Sequence, residues 1–204
     1  MKFILSILAV LAIVFLVGCS AKDTRDNKLS NSEITKLGKK YGGVYVFNKK
    51  FEKEIDDRER ERKEAIKELK GKNLGGGLYA VDTKPVDQKF PQTLSNGKKY
   101  YTTTRAYGED YNKQAKLPEI YKEKIINFIG QEDYNKFKPS MLLSYFYVDN
   151  NKNIIPIVVS VYYTIGYTKF GFFGDEGRGF SLSRRDVKDV GGDSIFYLED
   201  TERK

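Results

Sequence analysis

The pattern of apolar and polar positions divides the chain into an apolar beginning, a polar stretch and an alternation of helical and strand-like segments. Residues 3–17 are apolar apart from Ser6. This run of 15 residues is shorter than the roughly 20 apolar residues that span a bilayer as a helix. Residues 19–29 are mostly polar and show no periodicity, which predicts a flexible tether with a reach of ~17 Å.

The first two helices are predicted from caps and apolar spacing. Ser30 followed by Glu33 predicts a capping box, and Gly38 is expected to end this short helix. Residues 51–70 have apolar positions near helical spacing and many charges, which predicts a solvated helix. Arg58 and Arg62 fall on its apolar stripe, where we expect their stems to cover apolar surface and their guanidinium groups to stay in water.

A third helix is expected between Pro118 and Gly130, which are typical residues for the first turn and the end of a helix. A further short turn is expected before Pro139. The Gly75-Gly76-Gly77 run is interpreted as a bend between the helix over 51–70 and the strand that follows.

Short runs of β-branched and aromatic residues predict strands. Asn96-Gly97 predicts a tight hairpin turn because both residues tolerate positive φ. The clearest hairpin joins 141–148 to 157–168, whose second arm alternates apolar and polar residues. The expected strands are 41–47, 78–81, 100–104, 141–148, 157–168 and 194–198.

The order of these elements predicts an α+β fold, with an antiparallel sheet of about five to seven strands and two main helices packed on it. A single globular domain is expected over 30–204. The competing fold is a small β-barrel with an attached helix.

Charge and composition narrow the class of partner. The chain has 36 Lys and Arg against 28 Asp and Glu. The apolar beginning, residues 1–18, holds one lysine and no acid. The remaining 186 residues therefore have a net charge near +7. This balance favours acidic surfaces. Arg184-Arg185 near Lys188 is interpreted either as a contact for anionic headgroups or as a solvated strand edge whose charges block unwanted pairing.

The only cysteine, Cys19, closes the run Leu16-Val17-Gly18-Cys19 at the end of the apolar segment, and Lys2 precedes that segment. This arrangement resembles the lipobox of bacterial lipoproteins. The resemblance implies that residues 1–18 are a signal peptide, that the sulfur receives a diacylglyceryl group, and that the new amine at Cys19 takes a further acyl chain such as palmitate. Alternatives are an uncleaved anchor or a buried core cysteine.

Such a chain is expected in the cell envelope, attached to the membrane through the lipids on Cys19. Nucleic acid is not expected as the partner of an exported protein. The resemblance covers only the first 20 or so residues. In a host with two membranes the outer membrane is favoured, because Ser20 stands where an aspartate often retains lipoproteins in the inner membrane.

Candidate chemistry is sparse. The chain contains no histidine, which excludes Ser-His-Asp catalysis and histidine metal sites. Adjacent carboxylates are interpreted as solvated surface charge, and neither a metal nor a cofactor is expected. These carboxylate pairs are Asp56/Asp57, Glu109/Asp110, Glu132/Asp133 and Asp175/Glu176.

The most unusual segment is the glycine-rich run 171–180. Its aromatic and charged residues predict a partner-binding loop, because glycine-rich loops often carry function. In the alternative interpretation the segment is a long hairpin turn whose phenylalanines fold back onto the core. The candidate residues are Phe172, Phe173, Asp175, Glu176, Arg178 and Phe180.

Three functions remain after these exclusions. The favoured one is a non-enzymatic, lipid-anchored module that binds a protein partner, of which an immunity-type inhibitor of a toxin is one specific form. The second is an accessory factor for the structure or assembly of an envelope or secretion machine. The third is a carboxylate-dependent envelope enzyme.

Overall fold

A computed structural model describes residues 29–104, 115–175, 177 and 179–198. Helices and strands alternate along most of this part of the chain, which holds five helices and eight strands. In chain order they are α1 (Asn31–Tyr41), β1 (Gly43–Val46), α2 (Lys49–Lys67), β2 (Lys72–Gly75), β3 (Leu78–Ala80), α3 (Lys84–Lys89), β4 (Tyr100–Tyr101), α4 (Glu119–Ile129), α5 (Gln131–Lys136), β5 (Ser140–Val148), β6 (Ile154–Asp175), β7 (Gly179–Val190) and β8 (Ser194–Tyr197).

The predicted α+β class is confirmed. Six strands form one sheet in the order β4-β5-β6-β1-β8, with β7 also paired to β6. β1 pairs in parallel with β8, so the sheet is mixed where the sequence indicated only antiparallel pairs. A separate two-stranded sheet joins β2 to β3.

The described residues group into two compact units, and the expectation of a single domain over 30–204 stays a prediction. The first unit comprises the described residues of 29–42, 132–140 and 162–192, and the second comprises those of 43–131, 141–161 and 193–198. The strand β6 contributes residues to both units.

In the first unit, α1 begins with the predicted capping box. The backbone amide of Glu33 donates to Ser30 Oγ at 3.3 Å, and the amide of Ser30 donates to Glu33 Oε2 at 2.9 Å. The expected end at Gly38 is wrong, because the helix continues to Tyr41. Gly38 lies against the backbone of Val190, where a Cβ would come within 2.8 Å of the carbonyl oxygen.

The second unit buries its core between the sheet strands and the start of α2. The aromatic ring of Tyr45 on β1 lies 5.5 Å from that of Phe128 and 4.9 Å from that of Phe196, measured between centroids. The buried core residues are Val46, Ile55, Leu94, Tyr100, Ile157 and Val158.

The expectation that Arg62 keeps its guanidinium group in water is wrong. Its residue exposure is 9%, and the guanidinium donates to Asp87 Oδ1 at 2.5 Å and to the carbonyl oxygen of Phe90 at 2.6 Å. A buried charge is tolerated where such partners replace water. The side chain therefore fastens the segment around α3 to α2.

The predicted turns are confirmed in part. Gly97 has φ of 76° in the turn between Thr93 and Lys99, but Asn96 does not have the positive φ expected for this pair. The predicted hairpin of β5 and β6 is present, with the loop at Asp149 between the two strands. The strand expected over 100–104 contains only Tyr100 and Tyr101. Gly75-Gly76-Gly77 is not a bend between a helix and a strand but the turn of the β2–β3 hairpin, with φ values of 89°, 59° and 81°.

Candidate recognition hairpin

The segment singled out in the sequence lies at the end of a long hairpin. The second part of β6 pairs antiparallel with β7, from Tyr163 opposite Val190 to Asp175 opposite Gly179. The register shifts between Phe170 and Phe173, which identifies a β-bulge, a feature that bends a strand and redirects its side chains. We refer to residues 163–190 as the recognition hairpin.

Large apolar side chains point into solvent near its tip. The exposed fraction is 86% for Phe172 and 89% for Phe180. Phe170 and Leu182 are also exposed, at 61% and 68%. The alternative in which the phenylalanines fold back onto the core is therefore wrong for Phe172 and Phe180.

Phe173 differs from these two phenylalanines because it is half-buried. The guanidinium carbon of Arg184 lies 5.0 Å from the centroid of its ring. This distance suits a cation–π contact, which fixes the two side chains across the strands.

An ion-pair cluster holds the stem of the recognition hairpin together. Lys169 Nζ lies 2.8 Å from Asp186 Oδ2, and an Arg184 guanidinium nitrogen lies 3.1 Å from the same oxygen. The hydrogen bond from Lys169, and to a smaller extent that from Arg184, lowers the pKa of the Asp186 carboxyl below its usual range. The cluster therefore joins Lys169 of β6 to Asp186 and Arg184 of β7 through one carboxylate.

The base of the hairpin packs within the first unit. Asn31 Nδ2 donates to the carbonyl oxygen of Gly166 at 3.1 Å. The side chain of Tyr163 is fully buried, and its ring stacks on Phe137 with centroids 6.2 Å apart. These contacts root one end of the recognition hairpin while residues near its tip stay exposed.

The other candidate residues are placed only in part. Asp175 ends β6, where its backbone pairs with Gly179. Glu176 and Arg178 lie outside the described residues, as do Leu16, Val17, Gly18 and Cys19 of the lipobox. Their predicted roles stay predictions.

Among the described carboxylates, Asp57 and Asp133 lie on different helices, and each accepts hydrogen bonds from at least one neighbouring cation. Asp57 on α2 accepts from Lys53 at 2.5 Å and from Arg60 at 2.6 Å, and these bonds lower its pKa. Asp133 on α5 accepts from the Tyr41 hydroxyl at 2.6 Å. A general acid needs the opposite shift, a pKa raised toward neutrality.

The Asp133 carboxyl is held well below its usual pKa range. The hydrogen bond from Tyr41, followed by that from Lys136 at 2.9 Å, lowers the pKa of Asp133 to about 2. Glu109 and Asp110 lie outside the described residues.

Residues 29–104, 115–175, 177 and 179–198 contain no cluster of three or more Cys, Asp or Glu side chains arranged to hold a metal ion. Within the same ranges, no helix combines the length and the apolar composition that crossing a bilayer requires.

Sequence reasoning missed parts of the exposed surface. It treated 171–180 as a loop and considered a strand edge only at Arg184-Arg185, so it did not predict β7 over its full length. It also missed the β2–β3 hairpin, where Leu74 and Leu78 are exposed at 61% and 67%. The signal that could have found this second hairpin is the pair of leucines flanking three glycines.

Comparison with known proteins gives no relative from which a function could be transferred. No protein-family model, no curated protein and no solved structure matches the chain.

Proposed function

We propose that this chain is a lipid-anchored protein of the bacterial cell envelope that binds a protein partner and catalyses no reaction. The anchor is supported by the resemblance of Leu16-Val17-Gly18-Cys19 to a lipobox. A binding function is supported by the exposed aromatic tip of the recognition hairpin.

The observation that carries the proposal is the exposure of Phe172 and Phe180, at 86% and 89%. Full burial of one phenylalanine side chain contributes about 1.5–3 kcal/mol. Aromatic residues lose little conformational entropy when they bind and are frequent among the energetically dominant residues of interfaces. The two rings therefore offer a partner two anchors on one two-stranded element.

The net charge of the whole chain suggests which kind of partner it suits. The chain without residues 1–18 carries about seven more cations than acids. An acidic protein is favoured because opposite charge speeds encounter and suppresses wrong partners. One specific form of the proposal is an immunity-type lipoprotein that blocks an incoming toxin at the envelope, at the outer membrane where the host has two membranes.

The test compares two pairs of substitutions in exposed hairpins. The full chain, with either Phe172→Ser/Phe180→Ser or the control Leu74→Ser/Leu78→Ser, is purified from envelope extracts in mild detergent, and its partner is identified by mass spectrometry. We expect the phenylalanine variant to bind this partner at least about tenfold more weakly than wild type. The control should bind it like the wild type.

Two results would contradict the proposal. One is a wild-type chain that recovers no specific partner under these conditions. The other is a partner that both variants bind equally well, which would remove the recognition hairpin as the binding surface.

A further inference from the structure

The outer edge of β7 is a second feature of the recognition hairpin. Among the strands of the described residues, β7 pairs only with β6. All of its residues are exposed except Asp186 and Val190, which are intermediate. The edge of such a strand presents a row of backbone donors and acceptors that another strand can pair with.

The charges of β7 are arranged with opposite sign about Val187. Asp186 and Lys188 flank this valine, and Arg185 and Asp189 come next on either side. When two copies of a strand pair antiparallel about a central residue, positions at equal distance before and after it lie opposite each other. A register centred on Val187 therefore places Asp186 opposite Lys188 and Arg185 opposite Asp189, each pair occurring twice.

Neighbouring registers lack this complementarity. A register centred on Arg184, Arg185, Asp186, Lys188 or Asp189 places two identical charges directly opposite each other, and like charges in that position destabilise a strand pair. Of the positions 184–189, Val187 alone is uncharged. A block of cations on an edge strand prevents pairing, whereas this mixed pattern permits one register and opposes its neighbours.

Exposure and pairing of individual residues agree with that register. Val187 is 71% exposed in a strand segment where the residues on either side are charged. Within the described residues, neither Arg185 nor Lys188 has an ion pair. The register would give both cations a carboxylate and would cover the exposed valine with its symmetry mate.

We infer that the occupant of this edge is a second copy of the chain, paired antiparallel through β7 about Val187. Such a contact is isologous, because both copies use the same residues. It uses the middle of β7 and leaves Phe172 and Phe180 to a different partner. The inference does not depend on the proposed function, and either can fail alone.

Disulfide cross-linking of the full chain in membranes tests the register. Cα atoms of directly opposite residues in an antiparallel pair lie about 4.5–5.5 Å apart, within the span of a disulfide. In a Val187→Cys variant, two thiols from two copies lose two protons and two electrons to oxygen, with copper phenanthroline as catalyst, and form one S–S bond. We expect a cross-linked dimer that a reductant converts back to monomers.

Two controls are matched to this variant. Ser183→Cys places a thiol on the same exposed face of β7, yet in this register the two copies of position 183 are separated by about eight residues, roughly 27 Å. The wild-type chain, whose only cysteine is Cys19, controls for cross-linking there. Equal cross-linking of Val187→Cys and Ser183→Cys would overturn the register.

A charge exchange provides an independent measurement. Arg185→Asp places a carboxylate opposite Asp189 of the second copy, and we expect dimers of the full chain in mild detergent to dissociate about tenfold more readily. Adding Asp189→Arg to the same chain restores opposite charges without touching the Asp186 cluster and should restore the dimer. A double variant whose dimer dissociates as readily as that of the single variant would overturn the inference. Two other results would also overturn it: cross-linking of Val187→Cys only to a different protein, and binding of the β7 edge only to anionic vesicles.

Discussion

Asp133 illustrates how a single residue stabilises the first unit. Its carboxylate accepts hydrogen bonds from Tyr41 and Lys136, and Lys40 Nζ lies 3.4 Å away. The side chain is 22% exposed, so water screens these contacts only in part. A carboxylate whose pKa is lower in the folded chain stabilises the fold above its ordinary pKa, and this contribution is lost as pH falls through the folded value.

We therefore expect Asp133→Asn to lower the free energy of unfolding by about 1–2 kcal/mol at pH 7, a value reduced from the full pKa shift because of partial exposure. The difference from wild type should shrink between roughly pH 5 and pH 2, because the pKa of Asp133 falls from 3.8 to about 2. Urea unfolding at several pH values measures it.

Glu132→Gln is the matched control on the same helix. The Glu132 side chain is 87% exposed and contacts Lys136 at 2.9 Å, and exposed ion pairs contribute little. A loss for Asp133→Asn that stays constant down to pH 2 would show that the carboxylate charge is not the cause.

Residues whose role depends on sequence-distant partners were the hardest to predict. The capping box at Ser30 and Glu33 was predictable, because its partners are three residues apart. The buried Arg62 was not, because its partner Asp87 is 25 residues away. The sequence also did not decide whether Phe172 and Phe180 are exposed or buried, since a glycine-rich segment permits either orientation.

At the scale of elements, α1 shows packing acting against a local signal. Glycine in a helix interior costs about 0.5–1 kcal/mol relative to alanine, which is why Gly38 was expected to end the helix. Gly38 is instead buried inside α1, against the carbonyl of Val190 on β7. The close approach of helix and strand requires a residue without a Cβ.

Gly38→Ala is therefore expected to destabilise the chain by about 1–3 kcal/mol, against the gain that helix propensity alone would give. The added Cβ would lie 2.8 Å from the Val190 oxygen and 3.2 Å from its carbonyl carbon. Urea unfolding checks this, with the exposed neighbour Lys39→Ala as a control that should change stability by less than about 0.5 kcal/mol. An alanine variant as stable as wild type would mean that helix and strand can separate without cost.

Elements with strong local patterns were predicted, and those defined by pairing were not. The helices over Asn31–Tyr41, Lys49–Lys67 and Glu119–Ile129 carry caps or apolar spacing that a single sequence shows. The parallel pairing of β1 with β8 joins segments some 150 residues apart, and no local pattern encodes it. β7 was missed because ten of its twelve residues are exposed, which leaves no buried face to detect.

At the scale of the whole molecule, the excess of positive charge and the proposed lipid anchor would be two separate means of holding the chain at a membrane. The charge near +7 of residues 19–204 acts through electrostatic attraction, which salt near 1 M screens within about 3 Å. Covalent acyl chains act through burial of about 0.8 kcal/mol per CH₂, and two or more chains give stable attachment. The two contributions therefore differ in their response to salt and to detergent.

The proposed anchor predicts a chain that begins at Cys19, carries a palmitate label and stays with membranes through a 1 M salt wash until detergent is added. Cys19→Ser removes the sulfur that the diacylglyceryl group requires, so this variant should take up no palmitate and keep residues 1–18. Gly18→Ala, which preserves a small residue before the cysteine, should be labelled and cleaved like the wild type. Mass spectrometry of the purified chains distinguishes these products. An unmodified thiol on wild-type Cys19 would disprove the anchor, and release of the wild type by salt alone would leave charge as the means of attachment.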